Sequence, residues 1–402
     1  MKYKQRITAV IFLMLVIPVG LRCVAGPKNF YWSIGWHLSK VDILYASNHI
    51  AAVQSGVEST IYEKITWQDM WIESYGGIQY LLDKNYIKGS LALKPQLRDT
   101  VMRLDNHYLT FADSGEFYPE VASRVIRFHE FLTRKNIPFL YVQAPGKVCK
   151  TDPHLLRGMD DCTNRKADTL LKELNAAKVA TFDLRDEFPH GGSDYYSLFF
   201  IGDNHWNTPG AFLAAQKTTA FINDRFDVKL DAEALLPERF SREDFHFRFT
   251  GSQRDRIGNS YTPPDSNTLL LPVFPTEFDV TQKGKIVTTG SFEDIWVDRD
   301  SLADGKSCYS LYVRRYSALA NFTNKNTHST ARILLVGDSF SILFAPFLAL
   351  SSKEYMYLDF GYLGSIKEVV ESYQPDLVIF LYCPNLRKDI LEVDYGDDSD
   401  NR

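Results

Sequence analysis

The sequence carries no basic excess. Lysine and arginine number 45 against 50 aspartate and glutamate, a formal net charge of −5, whereas a nucleic-acid partner or an anionic membrane surface favours a strongly positive balance. Neither is expected as a main partner. Cysteine is scarce, at five residues in 402, and there is neither a Cys-x-x-Cys pair nor a histidine cluster of the kind that holds zinc. No segment repeats another. The amino-terminal apolar run from Ile7 to Leu21 spans about fifteen residues, between a signal-peptide core and the roughly 17–25 residues of a full transmembrane helix.

That run is nonetheless the clearest address on the chain. Lys2, Lys4 and Arg6 precede it and Arg22 ends it, a positively charged start followed by a hydrophobic segment. Cys23-Val24-Ala25 is a mediocre cleavage site, and Arg22 just before Cys23 argues against a lipoprotein signal. Residues 1–26 are therefore read as an uncleaved signal anchor, with a cleaved signal peptide as the alternative. Either way the positive flank stays inside and the body of the chain lies outside the cytoplasm, beside the cell membrane. Disulfides are allowed there. Cys149 and Cys162 bracket a polar stretch containing Pro153 and Gly158 and are the expected pair; the alternative leaves all five thiols free. Aromatic residues make up 14%, with 22 Tyr and 27 Phe. Such rings stack against sugars, but packing accounts for most of them, and the length is ample for one large domain or two.

Residues 27 to about 100 mix aromatic and polar residues without usable periodicity, so their role stays open. From Pro119 the pattern sharpens. Val121, Val125, Phe128 and Leu132 recur at helical spacing, and Ile137 to Val142 then reads as a buried strand. Ala167 to Ala177 predicts a second helix and Val179 to Leu184 a second strand. Thr208 and Pro209 read as an N-cap followed by proline in the first helical position, with Phe212, Ala215, Thr219 and Ile222 on one face. Residues 228–330 are charged and rich in Pro and Gly, and are read as a large, partly β insertion. Alternation returns with a strand at Ile333–Val336, a helix from about Phe340, a strand near Met356–Leu358, a helix from Ser365 to Tyr373 and a strand at Leu377–Leu381. The whole predicts an α/β domain over 101–392 with a mainly parallel sheet, followed by an acidic, disordered tail at 393–402.

Two loops carry chemistry. The apolar strand before Gly337-Asp338-Ser339-Phe340 delivers a serine to the carboxyl end of a strand and the start of a helix, the edge where open α/β sheets bind ligands and where backbone N–H groups can stabilise an oxyanion. A serine hydroxyl is a poor nucleophile until a base removes its proton and a third group holds that base. Asp203 and His205, two apart in a loop before a helix, supply both: the carboxylate can bond one imidazole nitrogen and leave the other facing Ser339. Each loop alone has a plain structural reading, as a capped turn or a satisfied histidine; the coincidence of both favours catalysis. A metal site on Asp203 and His205 has no further ligands, and no cofactor is expected.

Asp203-Asn204-His205-Trp206 resembles the D-x-H-W motif, and Gly337-Asp338-Ser339-Phe340 the G-D-S-F motif, of the alginate O-acetyltransferase AlgX and AlgJ group with its SGNH hydrolase-like domain. The order Asp, His, Ser along the chain is that group's, reversed from ordinary SGNH hydrolases. Gln143-Ala144-Pro145-Gly146-Lys147 is similar to a Pro and Lys turn of the family. The resemblance covers about 100–390 and implies a flavodoxin-like sheet with permuted triad order. It further implies an acetyl-serine intermediate on Ser339, a polysaccharide hydroxyl as acceptor and a membrane-bound acyltransferase as acetyl source. The Gly-x-Asn-Asp block that supplies an oxyanion-hole Asn in common SGNH enzymes is missing. The oxyanion donors expected are the Ser339 backbone N–H, a glycine at Gly361 or Gly364, and Tyr382. No carbohydrate-binding module follows residue 390, as in single-domain members. Two alternatives remain: a secreted carbohydrate acetyl esterase, and a non-catalytic scaffold of a polysaccharide assembly complex.

Overall fold

The computed structural model describes residues 68–88, 100–112, 119–156, 158, 160–299, 312, 319–359 and 364–384. The apolar run Ile7–Leu21, the tail 393–402 and Gly361 lie outside the described residues. Among those described, no helix is long and apolar enough to cross a membrane. The chain divides into units 1–75 and 76–402; α1 (Gln68–Leu81) supplies the described residues of the first unit and opens the second.

A three-stranded antiparallel sheet follows, built from β1 (Tyr86–Lys88), β2 (Thr100–Arg103) and β3 (Leu109–Phe111). Ile87 pairs with Val101, so the boundary expected at residue 100 runs through this sheet. The chain then alternates as expected: α2 (Pro119–Arg134), β4 (Phe139–Gln143), α3 (Cys162–Ala176), β5 (Ala180–Asp183) and α4 (Thr208–Arg225). β6 (Phe240–Phe249) and β7 (Asp265–Pro272) pair with each other. β8 (Phe278–Gln282), β9 (Lys285–Gly290) and β10 (Asn321–Asn324) lead to β11 (Arg332–Gly337), α5 (Ser341–Ser351), β12 (Glu354–Asp359), α6 (Ile366–Tyr373) and β13 (Leu377–Tyr382).

The central sheet has eight strands in the order β5-β4-β13-β11-β12-β10-β8-β9. The first five are parallel, and β10, β8 and β9 continue the sheet in antiparallel fashion. The stretch read as an insertion thus extends the sheet at one edge. Parallel strands covered on both faces read as unbroken apolar runs, and β11 illustrates it: Ile333 and Leu335 enter one core, Leu334 and Val336 the other. On the second face lie α2, α3 and α6, with Val121, Val125, Phe128 and Leu132 of α2 all buried as their spacing predicts. On the first lie α4 and α5. α5 is apolar all round, and that composition belongs to a helix buried on every side.

Two local readings are corrected. The N-cap of α4 is Asn207, whose side chain accepts from Gly210 N at 3.1 Å, and Thr208 is already helical and fully buried. The Asn207 amide oxygen, one residue earlier, reaches the Gly210 N–H, so the capping role falls to Asn207 instead of Thr208. Cys149 and Cys162 are both free thiols. The loop between them is ordered by carboxylates: Asp152 accepts from Cys149 N at 2.9 Å and His154 N at 2.8 Å, and Asp161 caps α3 by accepting from Asn164 N at 3.1 Å. Cys162→Ser is therefore expected to shift unfolding stability by no more than about 0.5 kcal/mol, where loss of a native disulfide removes about 2–5 kcal/mol. Denaturant unfolding of the variant distinguishes the two.

Candidate active site

The parallel strands β4, β13 and β11 end side by side, and their carboxyl ends carry the site. Gly337 closes β11, and a Cβ there would fall 2.1 Å from Ser341 Oγ and 2.5 Å from Leu381 O. Glycine lets the first turn of α5 and the end of β13 crowd this corner, so the chain turns sharply and leaves Ser339 at the rim. Asp338 holds the turn. Its buried carboxylate accepts from Phe340 N at 2.9 Å and from Cys383 N at 2.8 Å, binding the end of β11 to the end of β13. Burial raises its pKa, partly offset by these donors.

The second loop, 199–206, lies between short helical turns and α4. His205 Nε2 is 2.7 Å from Ser339 Oγ, and His205 Nδ1 is 2.5 Å from Asp203 Oδ1. The three residues singled out in sequence are thus brought together in one line, with His205 and Ser339 134 positions apart in the chain. Asp203 is 4% exposed. Burial would raise its pKa, but the charge of His205 and hydrogen bonds from the His205 ring, Ser252 N and His205 N override that and hold it well below the usual carboxylate range. The donor from Ser252 is 2.7 Å from Oδ2, so both carboxylate oxygens are engaged.

The flanking aromatics of the motifs join the loops. Trp206 is fully buried and its Nε1–H donates to Phe340 O at 3.0 Å. The Phe340 ring packs 4.9 Å from the His205 ring and 5.3 Å from that of Trp206, centroid to centroid. D-x-H-W and G-D-S-F are therefore two halves of one packed unit. A small cavity of about 20 Å³ opens beside it, between Gly146, Asn204, Phe340, Cys383 and Pro384; that is room for one water-sized group. A larger one, about 160 Å³, sits at the opposite edge of the sheet near Asp231, Arg239 and His328.

Tyr382 does not join the site. Side chains alternate across a strand; Leu381 faces the α4 and α5 side, so Tyr382 faces away, stacked 6.4 Å from Tyr141 in the core under α2 and α3. It is excluded as an oxyanion donor. Gly361 lies outside the described residues, and Gly364 begins the turn before α6. Ser339 sits in the turn immediately before α5, where its backbone N–H is placed at a helix start as expected. Among the described residues no group of three or more His, Cys, Asp or Glu is placed to hold a metal ion.

Sequence reasoning missed the stretch 250–253. Gly251 approaches so closely that a Cβ would lie 2.4 Å from Gly202 O and 2.6 Å from Asp203 Cβ. This glycine lets Ser252 N reach Asp203. A backbone donor has no sequence signature, and the only hint was a Gly-Ser pair in a charged stretch.

A family model described as "SGNH hydrolase-like domain, acetyltransferase AlgX" matches residues 104–253. That span holds Asp203 and His205 and ends before Ser339, which the fold returns to them. Among solved structures, Bacillus cereus PatB1 with a sulfonyl adduct superposes with a TM-score of 0.60 at 18% identity, over 74% of this chain and 98% of that one. A DHHW family protein from Eubacterium siraeum gives 0.55 at 16% identity, over 78% and 100%. The O-acetyltransferase domain of Pseudomonas putida AlgJ gives 0.43 at 14% identity, over 75% and 96%. No curated protein matches the sequence. Over residues 104–253, then, the chain is similar to the SGNH hydrolase-like domain of AlgX, and its mainly parallel α/β sheet is the fold such a domain has.

Proposed function

We propose that this protein is an O-acetyltransferase that moves acetyl groups through an acetyl-Ser339 intermediate onto hydroxyls of an exported, alginate-like polysaccharide. The observation that carries the reading is the continuous line from Asp203 Oδ1 through the His205 ring to Ser339 Oγ, at 2.5 Å and 2.7 Å. The match to the AlgX acetyltransferase domain supports the acyl group and the polymer.

In the first half-reaction His205 Nε2 accepts the Ser339 proton as Oγ attacks the carbonyl carbon of an acetyl donor. The donor's leaving group departs with that proton, and the acetyl remains as an ester on Ser339. In the second, a sugar hydroxyl gives its proton to the same nitrogen and attacks the ester carbonyl; Ser339 leaves and recovers a proton from His205. Asp203 stays ionised throughout and stabilises the imidazolium formed in each half. The Ser339 backbone N–H is the first oxyanion donor in this scheme. The amino-terminal segment tethers the domain outside the cytoplasm, where a membrane-bound acyltransferase supplies acetyl groups.

Incubation of the protein lacking residues 1–26 with an activated acetyl ester is expected to add one acetyl mass to the wild type and none to Ser339→Ala. Because PatB1 has been obtained with a sulfonyl adduct, a sulfonyl fluoride serves as a second probe of Ser339. Oligosaccharide acceptors should accelerate loss of the acetyl mass with gain on the sugar; loss to water alone would turn the reading to an esterase. Unmodified wild-type protein with both reagents would count against a serine nucleophile altogether. Asp203→Asn should slow acetylation by about 10⁴-fold. Gly251→Ala, which forces the Ser252 donor away from Asp203, should slow it by about 100-fold while circular dichroism shows a folded protein.

A further inference from the structure

Lys147 is 2% exposed, an unusual place for an ammonium. Its Nζ donates to Leu109 O at 2.5 Å, to Ile201 O at 3.1 Å, to Gln253 Oε1 at 3.1 Å and, in a shorter contact, to Asp203 O. Two of these carbonyls belong to the loop that presents Asp203 and His205, one of them that of Asp203 itself. The same loop is gripped from its N–H side by Asp265, also 1% exposed, whose two oxygens accept from Ile201 N at 2.5 Å and Gly202 N at 2.8 Å. Gly202 O accepts from Gln253 N at 3.1 Å and Arg254 N at 3.0 Å. The loop has few backbone bonds of its own, the Phe199–Trp206 bridge, Phe200 N to His205 O at 3.2 Å and Leu109 N of β3 to Ile201 O at 2.9 Å, and the rest of its backbone groups are anchored to charged side chains and to the 251–254 turn.

This arrangement bears on the site because the orientation of Asp203 follows its backbone. Asp203 has a short side chain, so a shift of its carbonyl moves the carboxylate that meets His205 Nδ1 almost one for one. Regular secondary structure would fix such a carbonyl with an ordinary N–H donor. Here the donor is a full charge in a buried position, where a charge-assisted bond is stronger than a neutral one. The lysine comes from the turn after β4, on a strand that runs beside β13 and, through it, beside the β11 end that carries Ser339. One residue thus references the base to the strands that place the nucleophile.

We propose that Lys147 is a positioning residue for acyl transfer: by tying the carbonyls of Ile201 and Asp203 to the end of β4, its ammonium sets the register in which Asp203 aligns His205 on Ser339. The proposal rests on the reading of those three residues as the acylation machinery. Burial raises the Asp265 carboxyl to about 6, with the Lys147 charge and the two backbone donors opposing that rise. The loop clamp is therefore expected to loosen as pH falls through that value, and acylation to fall with it.

The experiment compares wild type, Lys147→Met and Ser339→Ala. Two quantities are read: the low-field imidazole N–H proton resonance of His205 bonded to Asp203, and steady-state acetylation with the activated ester. Lys147→Met keeps the length of the stem and removes the charge. The expected result is a folded variant whose low-field resonance is lost or moved, with kcat reduced by about 100-fold and KM unchanged. A folded variant with the wild-type resonance and kcat overturns the proposal. If Lys147→Met does not fold, Gln253→Leu, which removes one of the ammonium's four acceptors, decides. A displaced resonance with reduced kcat supports the proposal, and wild-type values for both overturn it. The resonance needs no substrate, so a wild type that shows it yet forms no acetyl adduct refutes the functional reading and leaves the positioning test intact.

Discussion

A carboxylate that is buried and still ionised is the constraint from which the rest of the site follows. Removing such a charge from water without compensation carries a penalty of several kcal/mol, and a group left uncompensated would take up a proton instead. Asp203 is held in its charged form by the His205 ring and by two backbone N–H donors, from His205 and Ser252. Each of those donors requires a particular backbone path. The loop must double back so that His205 N lies over the carboxylate, and the 250–253 turn must come within van der Waals distance, which only a glycine at 251 allows.

The sheet meets this demand by placing three strand ends together. β11 supplies the serine, β13 supplies the Cys383 N–H that fixes Asp338, and β4 supplies the turn that carries Lys147. Parallel strands put all of these on one edge, and loops at that edge are free to specialise while the apolar strands keep their spacing. The antiparallel extension through β10, β8 and β9 lies at the far edge from β4 and leaves this arrangement untouched.

Several of the charges buried in the interior have a structural task. Arg185 is paired with Asp183 and Asp168 at 2.7 Å each, next to the end of β5. Lys147, Asp265 and Asp203 lie along one loop, where their partners are mostly backbone groups. Such buried polar networks contribute little net stability when satisfied but are destabilising when broken, which makes them instruments of geometry.

The alternation of helices and strands was legible because it rests on local periodicity. β11, α2, α6 and β13 lie within a residue or two of the stretches their apolar spacing predicts. The meeting of Ser339, His205 and Asp203 was legible because the three sit in two compact motifs whose coincidence, unlike either motif alone, has no plain structural reading. Tyr382 was misread because a strand-end position says nothing of the face it presents until the register of β13 is known. The Cys149–Cys162 pair was misread because spacing within a loop does not reveal the hydrogen bonds that make a staple unnecessary. The Ser252 donor, the Gly251 contact, the Lys147 clamp and the Asp265 grip were decided by the tertiary structure alone. All four are long-range meetings of backbone with backbone or with a buried charge, and sequence records the side chains of such meetings without recording which carbonyl or N–H they find.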